Sequence, residues 1–257
     1  MKRDMENRVA IVTGGTSGIG AATVREFADC GAHAVIVGRD EARGAAIVKE
    51  VEAKGRRAAF LQGSVSDSAF CDYVIKWTVE RFGGLNFLVN NAGSIHRADS
   101  PQTTDAMWLE SMAVNVNGTF WMCRAAIGAM QVSGHGGAIV NVASDWGLRA
   151  GKGHVAYCTA KGAIVNMTRA LALDHAQDGI RVNVLCPGET RTPMLGGGLA
   201  ARGFDPVAGF EELGASLPIG RVSEPEEQAR CIRFLASDDA SFVTGAAMSV
   251  DGGATAG

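Results

Sequence analysis

The chain has no run of lysine or arginine, and its formal net charge of −3 leaves no basic footprint of the kind that nucleic-acid binders carry. A nucleic-acid partner is therefore not expected. No apolar stretch approaches the length needed to span a bilayer, and the opening MKRDMENR is polar where a secretory leader would be apolar. The expectation is a cytoplasmic protein without a membrane partner. Six cysteines, Cys30, Cys71, Cys123, Cys158, Cys186 and Cys231, are scattered without a C-x-x-C pair, which argues against zinc and against a redox dithiol. Five histidines lack ligand spacing too, so no metal site is expected. Repeats, low-complexity tracts and linkers are missing as well. A hydrophobic content of 47% over 257 residues fits one domain, residues 1–257, acting on small molecules.

Glycine, by contrast, is concentrated where it can matter. TGGTSGIG at residues 13–20 follows the β-branched run RVAIV and precedes AATVREFADCG, whose apolar spacing is helical until Gly31. Strand, glycine turn and helix N-terminus thus follow in order. The unpartnered N–H groups of a first helical turn, aided by the helix dipole, make an anion site that suits a pyrophosphate. The spacing of Gly14, Gly18 and Gly20 is G-x3-G-x-G, not the dinucleotide fingerprint G-x-G-x-x-G, and alone it also reads as a structural turn.

Strand-like runs recur near 8–13, 33–38, 57–63, 85–90, 137–143, 180–185 and 246–250, with helical patterns between most of them. HAVIVG, LNFLVN, GAIVNVAS and IRVNVLC are continuously apolar, as strands covered by helices on both faces must be. The expected fold is α/β: a Rossmann-type doubly wound parallel sheet of about seven strands. Ligands of such sheets collect beyond the strands' carboxyl ends. Residues 188–220 break the rhythm with a Gly- and Pro-rich stretch after a strand, and a substrate lid is expected over 189–217, with a short helix or two.

Within AYCTAKGAIVNMTRALALDHA, Tyr157 and Lys161 stand four apart, on one helix face. An ammonium beside a phenol favours phenolate, which would let tyrosine exchange a proton with an alcohol near neutral pH. The same spacing occurs on ordinary amphipathic helices. Ser144, at the end of GAIVNVAS, could hold a carbonyl or alcohol oxygen beside the phenol, or could simply cap a turn.

Together these segments resemble the short-chain dehydrogenase/reductase family over essentially the whole chain: TGGTSGIG at 13–20, NNAG at 90–93, VNVNGTF at 114–120, Ser144, YCTAK at 157–161, and CPG followed by TRT at 186–192. The resemblance implies an NAD(P)-dependent oxidoreductase acting on CH–OH groups, with hydride supplied or taken up by the cofactor. It implies a catalytic tetrad: Tyr157 as general acid/base, Ser144 orienting the reacting oxygen, Lys161 binding the nicotinamide ribose and lowering the Tyr pKa, and Asn115 in a helix anchoring a proton-relay water. The cofactor would be bound by Gly14, Thr16, Ser17, Gly18, Ile19, Gly20, Arg39, Ser64, Val65, Asn91, Ala92, Gly93, Tyr157, Lys161, Pro187, Gly188, Thr190 and Thr192. Ser64 departs from the acidic residue often found before this Val, leaving a hydroxyl for the adenine contact. The resemblance also implies a homotetramer or homodimer packed through helices carrying Asn115 and Tyr157, for which AIVNMTRALAL offers an apolar face.

Cofactor choice is read from the end of the second strand. Gly38 takes the position where NAD-preferring relatives carry an Asp, and Arg39 follows it; this favours NADP(H) over NAD(H), although Ser17 adds no second cation and Asp40 offsets Arg39 in part. A small secondary alcohol or ketone is the expected substrate, with Ser94, His96, Trp146, His154, Glu189, Met194 and Leu195 near the catalytic positions. The alternatives are a 3-oxoacyl-(acyl-carrier-protein) reductase-like enzyme, which the absence of Lys and Arg from 125–144 disfavours, and a non-redox lyase, epimerase or binding protein on the same fold.

Overall fold

The computed structural model describes residues 4–257, so the first three residues of the polar N-terminal stretch lie outside it. Seven parallel strands form one sheet: β1 (Val9–Thr13), β2 (His33–Gly38), β3 (Ala58–Gln62), β4 (Phe87–Asn90), β5 (Gly137–Val142), β6 (Ile180–Pro187) and β7 (Ala247–Val250). Each falls on one of the runs expected from sequence, with ends shifted by no more than a few residues. The order across the sheet is β3-β2-β1-β4-β5-β6-β7, so the winding direction reverses between β1 and β4. A crevice opens at such a reversal because successive connections leave toward opposite sides.

Helices cover both faces and bury them. On one face α1 (Gly18–Asp29) and α9 (Pro225–Ala236) bring Val24, Phe27, Ile232 and Leu235 against Val12, Ile36 and Val140. On the other, α3 (Ser68–Phe82) and α5 (Gly118–Ser133) set Cys71, Val74, Met122 and Ala126 against Ile11, Val35 and Ile139. Every residue of β1 is buried, which is why its sequence shows no polar alternation. The remaining helices are α2 (Glu41–Glu52), α4 (Asp105–Ser111), α6 (Val155–His175), α7 (Pro193–Ala200) and α8 (Pro206–Ala215). All six cysteines are free, and Cys158 donates to Gly151 O at 3.7 Å, consistent with packing. No helix among the described residues is long and apolar enough to cross a membrane.

The β1–β4 junction is fastened by side chains at the strand ends. Asn91 N and Ala92 N both donate to Thr13 Oγ1 at 3.1 Å, while Asn91 Nδ2 donates to Thr13 O and Gly14 O at 3.2 Å. The NNAG segment therefore holds the glycine turn in place. Gly14 has φ +63°, and a Cβ there would lie 2.9 Å from Ala92 Cα, so only glycine suits this crossing. Deeper in the sheet, Asn90 Nδ2 donates to Asn141 Oδ1 and Asn141 Nδ2 to Thr168 Oγ1, each at 2.9 Å. This buried chain ties β4, β5 and α6 together and gives the amides partners that burial would otherwise deny them.

Candidate active site

One cleft of about 860 Å³ runs along the carboxyl ends of the strands. The glycine turn, Thr16 to Ile19, Arg39, Ser64, Val65, the segment Asn91–Gly93, Ser144, Tyr157, Lys161, and the positions Pro187, Gly188, Thr190 and Thr192 all line it. Trp146, His154, Glu189, Met194, Leu195 and Ser94 line its outer part.

At the inner end the first turn of α1 is left open. Ser17 occupies the N-cap position with an extended backbone but makes no side-chain cap, and the first turn holds no acidic residue. By contrast Asp40 caps α2, Asp67 caps α3 and Thr192 caps α7. The uncapped amides of α1 are thus available to an anion in the cleft. Thr192 also closes this end, since a Cβ on Gly18 would lie 3.0 Å from its Cγ2.

Arg39 is exposed on the cleft wall, and among the described residues its backbone carbonyl accepts from Gln62 Nε2 at 3.1 Å while its guanidinium has no hydrogen-bond partner. Asp40 is already committed: its Oδ1 accepts Arg43 N at 3.0 Å and its Oδ2 pairs with Arg43 at 3.2 Å. The offset of Arg39 expected from Asp40 is reduced accordingly. Ser64 shares its hydroxyl with Ser66 at 2.8 Å, which steadies the turn after β3.

The catalytic candidates lie at the middle of the cleft. Ser144 stands two residues past β5, where its Oγ accepts Trp146 N at 3.2 Å as the cap of a short 3₁₀ turn. It is a cap and a cleft residue at once. Its hydroxyl donates to Asp145 Oδ1 at 2.9 Å, and Asp145 Oδ2 takes Arg149 Nε at 3.1 Å and Nη2 at 2.8 Å. This buried Asp145 and its arginine four residues on were missed by sequence reasoning, although D-x-x-x-R beside the serine was a visible signal.

Tyr157 and Lys161 share a face of α6, both buried. Lys161 Nζ donates to Val142 O at 2.9 Å and lies 5.5 Å from the centre of the Tyr157 ring. Burial pushes the ammonium down to about 8. The Tyr157 phenol is raised, not lowered: burial dominates, the Ser144 hydroxyl pulls the other way, and the nearby Asp145 adds to the rise. The expected depression by Lys161 is corrected here, because the ammonium is bonded to a main-chain carbonyl and desolvation outweighs it.

Gly20 and His96, expected as contacts, do not line the cleft, and Asn115, expected to anchor a water from its helix, lies behind it. Asn115 is wholly buried behind Gly93 and Ser94, in a π-helical stretch, Met112–Asn117, between α4 and α5. Its Nδ2 donates to Ser94 O and Ser111 O at 3.0 Å, and its Oδ1 accepts Ser94 N at 3.3 Å. The amide therefore buttresses the strand-four loop. Gly20 lies beneath the turn, where any Cβ would collide with Gly14 O, so it serves helix packing. His96 Nε2 is held by Glu110 at 3.2 Å and is not on the cleft wall.

The outer part is aromatic and charged. Trp146 lies 4.4 Å from the His154 ring and meets the Tyr157 ring edge-on at 6.1 Å. His154 is anchored by Lys152 O at 2.8 Å, and burial lowers its pKa. Glu189 is raised by burial and by Asp145. Over this region α7 and α8 pack on one another through Leu199, Phe210 and Val222, and Arg191 lies over the Phe210 ring at 4.6 Å.

Residues 14–255 match a family model described as Enoyl-(Acyl carrier protein) reductase. The chain is 41% identical to a 2,5-dichloro-2,5-cyclohexadiene-1,4-diol dehydrogenase of Sphingobium indicum, over 98% of this chain and 99% of that one. It is 39% identical to 2-(S)-hydroxypropyl-CoM dehydrogenase 3 of Xanthobacter autotrophicus, over all of both chains. A crystal structure of a short-chain type dehydrogenase/reductase from Mycobacterium marinum superposes with a TM-score of 0.91 at 28% identity, covering 99% of this chain and 98% of that chain.

Proposed function

The chain belongs to the short-chain dehydrogenase/reductase family, and from that premise we propose that it moves hydride between NADP(H) and a secondary alcohol or ketone, with Tyr157 as the proton-transfer group. The observation that carries this reading is the meeting of Ser144, Tyr157 and Lys161 on one cleft that also contains an uncapped helix N-terminus.

The residues present fit a dinucleotide. The cleft is walled by backbone where side chains would intrude: a Cβ on Gly93 would lie 2.9 Å from Asn115 Oδ1 and 3.5 Å from Lys161 Nζ. The α1 amides would hold the pyrophosphate, Arg39 and Ser64 the adenosine end, and Asn91–Gly93, Lys161 and Pro187–Thr192 the nicotinamide end. When bound, the nicotinamide exchanges hydride with the carbinol carbon. Tyr157 passes its phenolic proton to the substrate oxygen in reduction and takes it back in oxidation. Ser144 positions that oxygen, and Asp145 holds the serine through its hydroxyl while Arg149 balances the carboxylate charge. Lys161, whose ammonium burial pushes down to about 8, holds the ribose beside the phenol. Helices α7 and α8 form the lid that excludes water.

NADP(H) is favoured because Arg39 has no carboxylate partner among the described residues while Asp40 is spent on α2 and Arg43. Replacing Arg39 by Ala is expected to weaken NADP(H) use by roughly one to two powers of ten, the size of a charge-assisted contact, with NAD(H) nearly unaffected. The check is the ratio of kcat/KM for the two cofactors; a wild type that prefers NAD(H), with a ratio unmoved by Arg39→Ala, would reverse the assignment. Gly38→Asp is a less clean variant than its chemistry implies, because its Cβ would lie 2.8 Å from Thr16 Cγ2.

A homodimer or homotetramer is part of the same reading. In AIVNMTRALAL, Ile164 and Val165 serve the chain's own core, but Leu173 on α6 is 83% exposed, and Phe120 on α5 and Leu109 on α4 are exposed as well. Light scattering is expected to give a multiple of the 26.7 kDa chain mass; the monomer mass at working concentration would exclude it.

A further inference from the structure

The outer cleft contains positive charge that the hydride-transfer reading does not use. Arg97 comes from the loop after β4, Lys152 from the turn before α6 and Arg202 from the end of α7, and all three line the cleft. None forms an ion pair with a carboxylate among the described residues, although carboxylates line the same cleft. Asp145 is balanced by Arg149, Glu110 approaches His96 Nε2 at 3.2 Å, and Asp99 Oδ1 accepts Gln102 N at 3.1 Å. Glu189 has no such partner among the described residues; burial and the neighbouring Asp145 raise its pKa, and burial lowers that of His154. Arg97, Lys152 and Arg202 thus bring three cations without an ion-pair partner, among the described residues, to this end of the cleft.

Arg97 is also set in place. Its guanidinium lies on the backbone of α7 at Gly198, where any Cβ would collide with it, and Nη2 donates to Met194 O at 3.3 Å. That is its only hydrogen bond among the described residues, which leaves most of its five N–H donors for another acceptor. Arg202 approaches from the far end of the same helix, its guanidinium 5.2 Å from the Phe204 ring centre. Arg97 and Arg202 line the same cleft as His154 and Glu189, and the charges of both act on those two side chains. A loop cation seated on the lid and a second cation carried by the lid form a two-sided anion clamp, a geometry suited to a carboxylate or phosphate oxygen pair.

We propose that the substrate is an anionic secondary alcohol or ketone whose negative group is held by Arg97 and Arg202 at the lid, with Lys152 beside them, while its carbinol carbon lies at Tyr157. This rests on the oxidoreductase reading and adds the substrate class. The negative group belongs either to a small acid or to the phosphate of a thioester's carrier arm, and the chemistry that recognises it is the same.

The test uses the full chain with NADPH and matched pairs: oxo acids and their methyl esters, and 3-oxoacyl thioesters of phosphopantetheine and of dephosphorylated pantetheine. In one arm the charged member is expected to be favoured about tenfold or more in kcat/KM at low salt, with the preference shrinking as ionic strength rises. The arm that responds identifies the source. Arg97→Gln and Arg202→Gln are each expected to lower the charged-to-neutral ratio roughly fivefold or more, through KM, and Arg97→Lys to restore part of it. Gly198→Ala, which displaces the guanidinium without removing it, is expected to lower the ratio as well. Neutral members turned over as well as charged ones, with a ratio unmoved by these variants, would overturn the anion clamp and leave the oxidoreductase reading standing. Absence of turnover with every member would overturn both.

Discussion

Tyr157→Phe is expected to lower kcat by at least about 10³-fold while leaving cofactor affinity within a few fold of wild type. Only one oxygen is removed, and the ring that packs edge-on against Trp146 and beneath Lys161 is kept. The loss is therefore one of proton transfer and not of architecture. Burial raises the pKa of the phenol, so the free chain holds it as a neutral O–H, and the variant removes the group that would protonate a developing alkoxide. Steady-state kinetics of ketone reduction, paired with a cofactor titration by nicotinamide fluorescence, separate the two effects. Retention of most of the activity would remove Tyr157 from the proton-transfer role.

Lys161→Met is expected to abolish turnover and weaken cofactor binding together, since one ammonium serves the ribose and the phenol. It is also expected to make the fold more stable. The side chain is buried and its ammonium is pushed down from 10.5 to about 8, so holding the charge at pH 7 costs on the order of 3 kcal/mol, at about 1.4 kcal/mol per pKa unit. Leaving Val142 O without its donor offsets roughly 1 kcal/mol of that gain. The sign follows from a folded pKa below the unfolded one. The penalty on wild type is present in full below about 8 and fades as pH rises from there toward 10.5. Tm for Lys161→Met at pH 7 is expected to exceed wild type by several degrees, with the difference narrowing at alkaline pH. A variant less stable than wild type at pH 7 would show that the Val142 bond outweighs desolvation.

Much of this fold is written locally and is legible for that reason. β1 is followed by a glycine turn and by a helix that stops at Gly31, and its five residues carry no polar alternation because both sheet faces are covered there. Ser144, Tyr157 and Lys161 were legible because the serine ends a strand segment and the other two share a helix face. What escaped sequence reading depends on contacts between distant segments. Gly20 belongs to the glycine turn yet sits behind the cleft, where Asn91 arrives from elsewhere in the chain. The Asn90–Asn141–Thr168 chain joins residues far apart in sequence and shows no spacing. Arg97 becomes meaningful only once Gly198 is beside it, 101 positions later in number and on a helix rich in glycine. The pKa of Tyr157 was misjudged for a related reason: spacing brings Lys161 to the same face, but it does not reveal that Val142 O holds the ammonium.

The central claim is that Tyr157 and its neighbours direct hydride transfer at a carbinol carbon. The most direct measurement is a single turnover of the full chain with reduced nicotinamide cofactor deuterated at its transferable position and a ketone accepted in the panel, followed by mass spectrometry of the alcohol. The account predicts one deuterium on the carbinol carbon for each cofactor oxidised, at a rate that collapses in Tyr157→Phe. An alcohol formed without deuterium, or a ketone consumed while the cofactor stays reduced, would contradict it.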